Sequence, residues 1–147
     1  MDLILWRHAD AEDGIPDEAR KLTAKGEKQA RRIAKWLVQR VPDDTRVLVS
    51  PARRAQQTAK AFSKDFETCP AAGTGTVPAA LLKAAGWPHR DGTVIVVGHQ
   101  PVVGQTVALL LTGEASEWAV RKGAIWWLSS RGPGQPVVKA VVSPDLL

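Results

Sequence analysis

Two histidines and a pair of arginines stand where short apolar runs of this 147-residue chain stop. Asp2-Leu3-Ile4-Leu5-Trp6 leads into Arg7-His8-Ala9, and Thr93 to Val97 leads into Gly98-His99-Gln100-Pro101. Val47-Leu48-Val49 leads into Ser50-Pro51-Ala52-Arg53-Arg54. An imidazole with one unprotonated nitrogen can attack phosphorus and hold the phosphoryl group until water removes it. Guanidinium forks bind phosphate oxygens in pairs and neutralise charge as it spreads during transfer. The set suits phosphoryl transfer, one imidazole attacking and the other, if protonated, donating to the phosphoryl oxygens. A lone histidine is more often a hydrogen-bonded structural group, so the inference depends on the three strand ends being neighbours.

The elements that would position these groups follow from the apolar pattern. Short β-branched runs read as buried strands of an α/β sheet, whose ligand crevices lie at the carboxyl ends of strands. After His8, residues 9 to 22 form a polar loop, and Thr23 reads as the N-cap of the helix that follows. Ala30, Ile33, Ala34, Leu37, Val38 and Val41 recur at helical spacing up to Pro42. Ser50-Pro51 reads as a capping hydroxyl with proline at the first helical position. Ala55, Thr58, Ala59, Phe62 and Phe66 mark the buried stripe of that helix, and Arg53 and Arg54 fall in its first turn, where free N–H groups favour an anion. Cys69 to Thr76 is a loop without the Gly-Lys-Ser/Thr ending of a nucleotide P-loop. Pro78 to Ala85 reads as a short helix stopped by Gly86, and Pro101 opens a helix over Val102 to Leu111 with Gly113 beyond it. Two late strands, Ala124 to Ser129 and Pro136 to Val142, are expected to pair antiparallel through a Gly/Pro turn at 132–134. Trp126 and Trp127 must then face opposite sides of the sheet. Trp6 is expected under the sheet, and Trp36 off the apolar stripe of its helix. With no repeat or linker, residues 1–147 are expected to be one domain.

The totals exclude several classes. Hydrophobic residues make up 44% and charged ones 24%, a globular rather than a disordered profile. No apolar run approaches the roughly 20 residues of a membrane helix, and the N-terminus does not read as a secretory signal. Cys69 is the only cysteine, which rules out an internal disulfide and fits a cytoplasmic setting. The net charge of +5 would suit nucleic acid, but the lysines do not interleave with aromatics, so no nucleic-acid partner is expected. A basic surface would also attract an acidic or phosphorylated protein. His8, His89 and His99 show no His-x-x-x-His spacing, and two arginines in one pocket would repel a cation, so no metal is expected. His89 reads as a surface residue.

Four segments resemble the histidine phosphatase superfamily, in particular its small phosphohistidine phosphatase (SixA-like) branch. Arg7-His8-Ala9 is similar to the opening Arg-His-Gly motif, with Ala for Gly. Leu22-Thr23-Ala24-Lys25-Gly26-Glu27-Lys28-Gln29-Ala30 resembles Leu-Thr-x-x-Gly-x-x-Gln-Ala. Ser50 to Ala59 resembles Ser-Pro-x-x-Arg-Ala-x-x-Thr-Ala, which selects Arg54 over Arg53. Gly98-His99-Gln100-Pro101-Val102-Val103-Gly104 resembles the second-histidine motif. The segments follow the family's order and span most of the chain.

The resemblance implies a three-layer α/β/α sandwich with a mostly parallel central sheet, phosphoglycerate-mutase-like, without a large cap insertion. It implies that His8 is the nucleophile, that Arg7, Arg54 and His99 bind the phosphoryl group, and that no cofactor is needed. Asp17 and Arg20 occupy places characteristic of the branch, and with Asp10 and Gln100 they complete the candidate set for substrate binding or proton donation; Glu18 is a further acid in reach. Larger relatives carry a glutamate general acid under a helical insertion. Here no acid lies between Thr68 and Arg90, so the site is expected to be shallow and open to a phosphorylated protein side chain. The expected activity is metal-independent dephosphorylation of phosphohistidine on proteins by a monomer. The alternatives are a phosphatase of small phosphoesters and a non-catalytic phosphate-binding regulatory module.

Overall fold

Alternation along the first strand divides the core in two. In the computed structural model, which describes residues 1–132 and 136–147, strand β1 (Asp2–Arg7) turns Leu3 and Leu5 to one side and Ile4 and Trp6 to the other. All four are fully buried, so both faces of the sheet are covered. The described residues form five further strands: β2 (Arg46–Val49), β3 (Glu67–Thr68), β4 (Thr93–Gly98), β5 (Ile125–Ser129) and β6 (Val137–Val142). They make one sheet in the order β3-β2-β4-β1-β5-β6. β3, β2, β4 and β1 are parallel, and β5 runs antiparallel to both β1 and β6.

Among the described residues, four α-helices supply the outer layers. α1 (Ala24–Val38) and α2 (Arg53–Phe62) pack Ile33, Ala34, Leu37, Ala55 and Ala59 against the face carrying Ile4, Trp6 and Trp127. α3 (Pro78–Ala85) and α4 (Val102–Thr112) pack Leu81, Ala85, Val103 and Val107 against the face carrying Leu3, Leu5 and Trp126. The expected three-layer sandwich is observed, and the consecutive tryptophans on β5 do face opposite layers. Trp36 is partly covered: it meets Trp127 edge-on with ring centroids 6.1 Å apart, and the Arg40 guanidinium lies 4.3 Å from its ring. His89 is exposed.

The register brings the strand ends to one level. Val97 on β4 pairs with Trp6 on β1 and with Val49 on β2. The backbone N–H of His8 then donates to Gly98 O at 3.0 Å, and that of Ser50 to Val97 O at 3.1 Å. β1, β4 and β2 are adjacent, so the neighbouring strand ends on which the chemical argument depended are present.

Several local expectations are corrected. α2 begins at Arg53 with Ala52 as N-cap, and Ser50 and Pro51 lie outside it. The Ser50 hydroxyl accepts the N–H of Ala52 itself, at 3.1 Å, rather than one inside the helix. α1 ends at Val38, whose side chain is 60% exposed rather than on the buried stripe, and Phe66 falls beyond the end of α2. α4 begins at Val102 as expected, with Pro101 as its N-cap, and ends at Thr112 rather than Leu111. The two-residue β3 had no apolar signal, since Glu67 and Thr68 are both exposed. The turn expected at 132–134 lies largely outside the described residues.

Gly26 illustrates how α1 is fitted to the loop after β1. Thr23 caps the helix by accepting from Gly26 N–H at 3.0 Å, and its hydroxyl donates to the Asp10 carboxylate at 2.7 Å. A Cβ at position 26 would overlap the backbone carbonyl of Asp10. Backbone cannot swing aside as a side chain can. Gly26→Ala is therefore expected to lower the unfolding free energy by about 1–3 kcal/mol in urea titration; an unchanged midpoint would show that the loop yields freely.

Candidate active site

His8 follows β1 directly and is fixed at one ring nitrogen. Its Nδ1 lies 2.7 Å from the carbonyl oxygen of Ala9, an acceptor only, so Nδ1 carries the proton. Nε2 is left with its lone pair, and Nε of Arg54 donates to it at 3.3 Å. The ring is 8% exposed, and burial pushes its pKa down to about 3, with His99, Arg54 and Arg7 adding repulsion. His8 is thus neutral at physiological pH, with an unprotonated Nε2 whose lone pair meets a guanidinium N–H.

Arg54 reaches this point from the first turn of α2 and is 3% exposed. Its two terminal nitrogens donate to Asp17, one to the backbone carbonyl at 2.8 Å and one to the carboxylate at 3.0 Å. Asp17 sits in a 3-10 turn (Asp17–Ala19), and Arg20 Nε also donates to its carboxylate at 3.0 Å. The hydrogen bond from Arg54 holds the Asp17 carboxyl below its ordinary range. The site is consequently less open than the short 69–88 segment implied: Asp17 screens Arg54 from solvent.

His99 leaves the end of β4 and faces His8, ring centroids 5.1 Å apart. It is 3% exposed, and burial, then repulsion from Arg54, push its pKa down to about 4. Nε2 lies 2.7 Å from the Ser50 hydroxyl. Arg7, the last residue of β1, donates from a terminal nitrogen to Val120 O at 2.7 Å. Among the described residues, the buried side-chain polar atoms without a hydrogen-bond partner are Nε of Arg7 and Nδ1 of His99. Leaving such an atom unsatisfied costs about 1–3 kcal/mol, so each calls for an acceptor or donor from outside the chain.

Arg7, His8, Arg54 and His99 therefore meet, with Asp17 and Arg20 beside them. Asp10 and Gln100 do not join the cluster through their side chains. The Asp10 carboxylate takes Lys122 Nζ at 2.8 Å and the Thr23 hydroxyl, and the Lys122 bond lowers its pKa. The Gln100 amide donates to Trp118 O and accepts from Gly104 N–H, each at 2.7 Å, tying the 118 segment to α4. Two residues were missed from sequence: Ser50, read as a helix cap, and Thr58, read only as core. Thr58 accepts Ala9 N–H at 3.0 Å and donates to Arg54 O at 2.8 Å, linking the loop after His8 to the helix of Arg54.

A mostly parallel sheet with paired imidazoles and guanidiniums at adjacent strand ends defines a phosphoglycerate-mutase-like α/β protein, and the comparisons with known proteins agree. Residues 3–72 match the model of the histidine phosphatase superfamily (branch 1). The phosphohistidine phosphatase SixA of Escherichia coli K12 is 34% identical over 125 residues, covering 78% of this chain and 76% of that one. A structure of the protein histidine phosphatase SixA complexed with tungstate superposes with a TM-score of 0.81 at 30% identity, covering 99% of both chains. A SixA-type structure from Nakamurella multipartitia gives 0.83 at 25% identity, covering 97% of this chain and 95% of that one. The chain belongs to the histidine phosphatase superfamily, in its SixA-like branch.

The neutral buried histidines make stability depend on pH. Both have folded pKa values (about 3 and about 4) below the ordinary 6.5, so between pH 6.5 and 4 the unfolded chain binds protons that the folded chain refuses. Stability from this source is complete above pH 6.5 and is lost as pH falls, at up to about 1.4 kcal/mol per unit per histidine. The urea midpoint should drop between pH 7 and pH 5, and the drop should shrink in the His8→Gln/His99→Gln double variant. An equal drop in both proteins would place the effect elsewhere.

Proposed function

We propose that residues 1–147 act as one domain, a metal-independent phosphatase that passes the phosphoryl group through Nε2 of His8 and takes phosphohistidine on proteins as substrate. The observation that carries this reading is the pair of buried nitrogens unpartnered among the described residues, on Arg7 and His99, in the same cluster as the lone pair of a neutral His8, which accepts from Arg54 Nε–H. Such a set asks for an oxyanion with an electrophilic centre. The tungstate bound by a related phosphatase is a tetrahedral oxyanion of that kind.

In the proposed reaction, the Arg54 Nε–H passes from His8 to a phosphoryl oxygen, and the released lone pair of Nε2 attacks phosphorus as the bond to the leaving group breaks, giving phospho-His8 and the dephosphorylated partner. Water then attacks phosphorus, the P–N bond breaks, and His8 and inorganic phosphate are restored. Arg7 and Arg54 neutralise the equatorial oxygens through both steps, a role in which guanidinium charge serves where other phosphatases use a metal. Asp17 must give up the Arg54 fork when the phosphoryl group arrives, so it serves as a counter-ion that orients Arg54 between turnovers.

The choice of substrate rests on the acids. Asp10 and Asp17 are held ionised by Lys122 and Arg54, so neither brings a proton at neutral pH in this state. An alkoxide leaving group needs such a proton. The imidazole of a phosphohistidine departs with less help, because its second nitrogen can take a proton from water before the P–N bond breaks.

The test is chemical. After exposure to a phosphohistidine-bearing protein and, separately, to an aryl phosphate, an alkaline quench should preserve label on His8 in the wild type and none in His8→Ala. Arg54→Ala should lower kcat/KM by about 100-fold or more. Turnover without label on His8 would overturn the mechanism, and faster turnover of the aryl phosphate would overturn the substrate.

A further inference from the structure

Ser50 belongs to the site although its sequence context reads as a helix start. It is fully buried, its backbone N–H is fixed to Val97 O by the sheet, and its hydroxyl faces Nε2 of His99 at 2.7 Å. The same oxygen accepts the Ala52 N–H at 3.1 Å. A hydroxyl has one hydrogen to give and two lone pairs to fill. Ala52 fills one lone pair, and within the described hydrogen bonds the hydroxyl hydrogen has one acceptor in reach, Nε2 of His99.

We propose that Ser50 is a positioning residue: by donating to Nε2 of His99 it keeps the ring proton on Nδ1, making His99 a neutral hydrogen-bond donor for the phosphoryl group. The opposite arrangement fails on two counts. If Nε2–H donated to the serine, the hydroxyl hydrogen would be buried with no acceptor, at a cost of about 1–3 kcal/mol. Nδ1 would then present a lone pair, and a lone pair repels the oxygens of an incoming anion. In the first arrangement the unpartnered Nδ1 is a donor, which is what an anion site requires.

The two histidines are thereby made complementary without either being charged. His8 has Nδ1–H tied to Ala9 O and offers a lone pair, whereas His99 has Nε2 tied to Ser50 and offers a proton. The sequence suggested that the second histidine would donate if protonated; the Ser50 contact lets it donate as a neutral ring. The charged groups around it are Arg7, Arg54, Arg20 and Asp17, with His8 alongside. Three cations against one carboxylate make an imidazolium unfavourable there, so a donor that needs no charge suits the setting.

The proposal rests on the phosphatase reading for its consequence but not for its first measurement. Long-range 1H–15N correlation spectra of the 15N-labelled, ligand-free protein at pH 7 should show His99 with a protonated Nδ1 and a bare Nε2. Ser50→Ala should move the proton wholly or partly to Nε2 and lower kcat for an aryl phosphate about 100-fold, with a smaller change in KM. Ser50→Thr, which keeps the hydroxyl, should retain both the tautomer and most of the rate. If Ser50→Ala does not fold, Ser50→Cys, with a weak S–H donor in nearly the same volume, should show the same changes to a lesser degree. A wild-type His99 carrying its proton on Nε2 overturns the proposal whatever the activity. So does a folded Ser50→Ala with kcat within about twofold of wild type, because the rate loss expected of a lost transition-state donor is far larger. Failure to label His8 would instead defeat the phosphatase reading, leaving the tautomer to be read from the spectrum.

Discussion

A guanidinium N–H resting on the lone pair of a neutral imidazole, Arg54 Nε on His8 Nε2 at 3.3 Å, is the contact on which the rest of this structure depends. It exists only while His8 is unprotonated, because an imidazolium would meet Arg54 charge to charge. Burial secures that neutrality, and the Ala9 carbonyl decides which nitrogen keeps the proton. The guanidinium is itself buried, which is strongly unfavourable for an unpaired charge. Asp17 supplies the compensation, so the polar loop between β1 and α1 is part of the site rather than a connection between elements.

Much of the chain near this contact serves to hold backbone rather than to do chemistry. Gln29 accepts Asp10 N–H at 2.9 Å, and Gln57 accepts Leu22 N–H at 2.7 Å, so glutamines from two helices brace the loop that carries Asp17. Thr58 joins the residue after His8 to the helix of Arg54. On the other side, Gly123 N–H donates to the carbonyls of Arg7 and His8, and Trp6 Nε1–H donates to Gly123 O at 2.9 Å. The segment leading into β5 thus closes over the end of β1 and gives Arg7 its partner in the Val120 carbonyl. An imidazole placed this way is held from three elements at once, which limits its motion and leaves Nε2 with a single partner, the Arg54 N–H.

The legible part of this arrangement was what local chemistry and period determine. Buried strands announce themselves by β-branched runs, and their carboxyl ends mark where ligands bind, so Arg7, His8, Arg54 and His99 could be picked from sequence. The motif spacing separated Arg54 from Arg53, which the helix turn alone could not do. What escaped was decided between segments. Ser50 followed by proline looks like a cap, and only the pairing of β2 with β4 turns its hydroxyl to His99. Gln100, next to a histidine in a motif, looks like a ligand, yet its amide is taken by Trp118 O and Gly104 N–H, partners set by how α4 meets the 118 segment. β3 is two exposed residues made a strand by its neighbour. Polar side chains have several partners available locally, and the sheet register chooses among them.

The exchange at Arg54 bears on how tightly such a site can hold its substrate. With Asp17 on the fork, the phosphoryl group of the proposed reaction would replace one anion with another and gain only the difference between a dianionic and a carboxylate partner. The nitrogens of Arg7 and His99 that are unpartnered among the described residues would, on the same proposal, add two further donors. Ground-state binding is thereby moderated at one contact and strengthened at two. That distribution favours turnover, since an enzyme gains rate from interactions that grow as charge spreads onto the equatorial oxygens and loses it to those that only tighten the resting complex. In the proposed cycle it would also ease release of inorganic phosphate, because the Asp17 carboxylate stands beside Arg54 and can reclaim it.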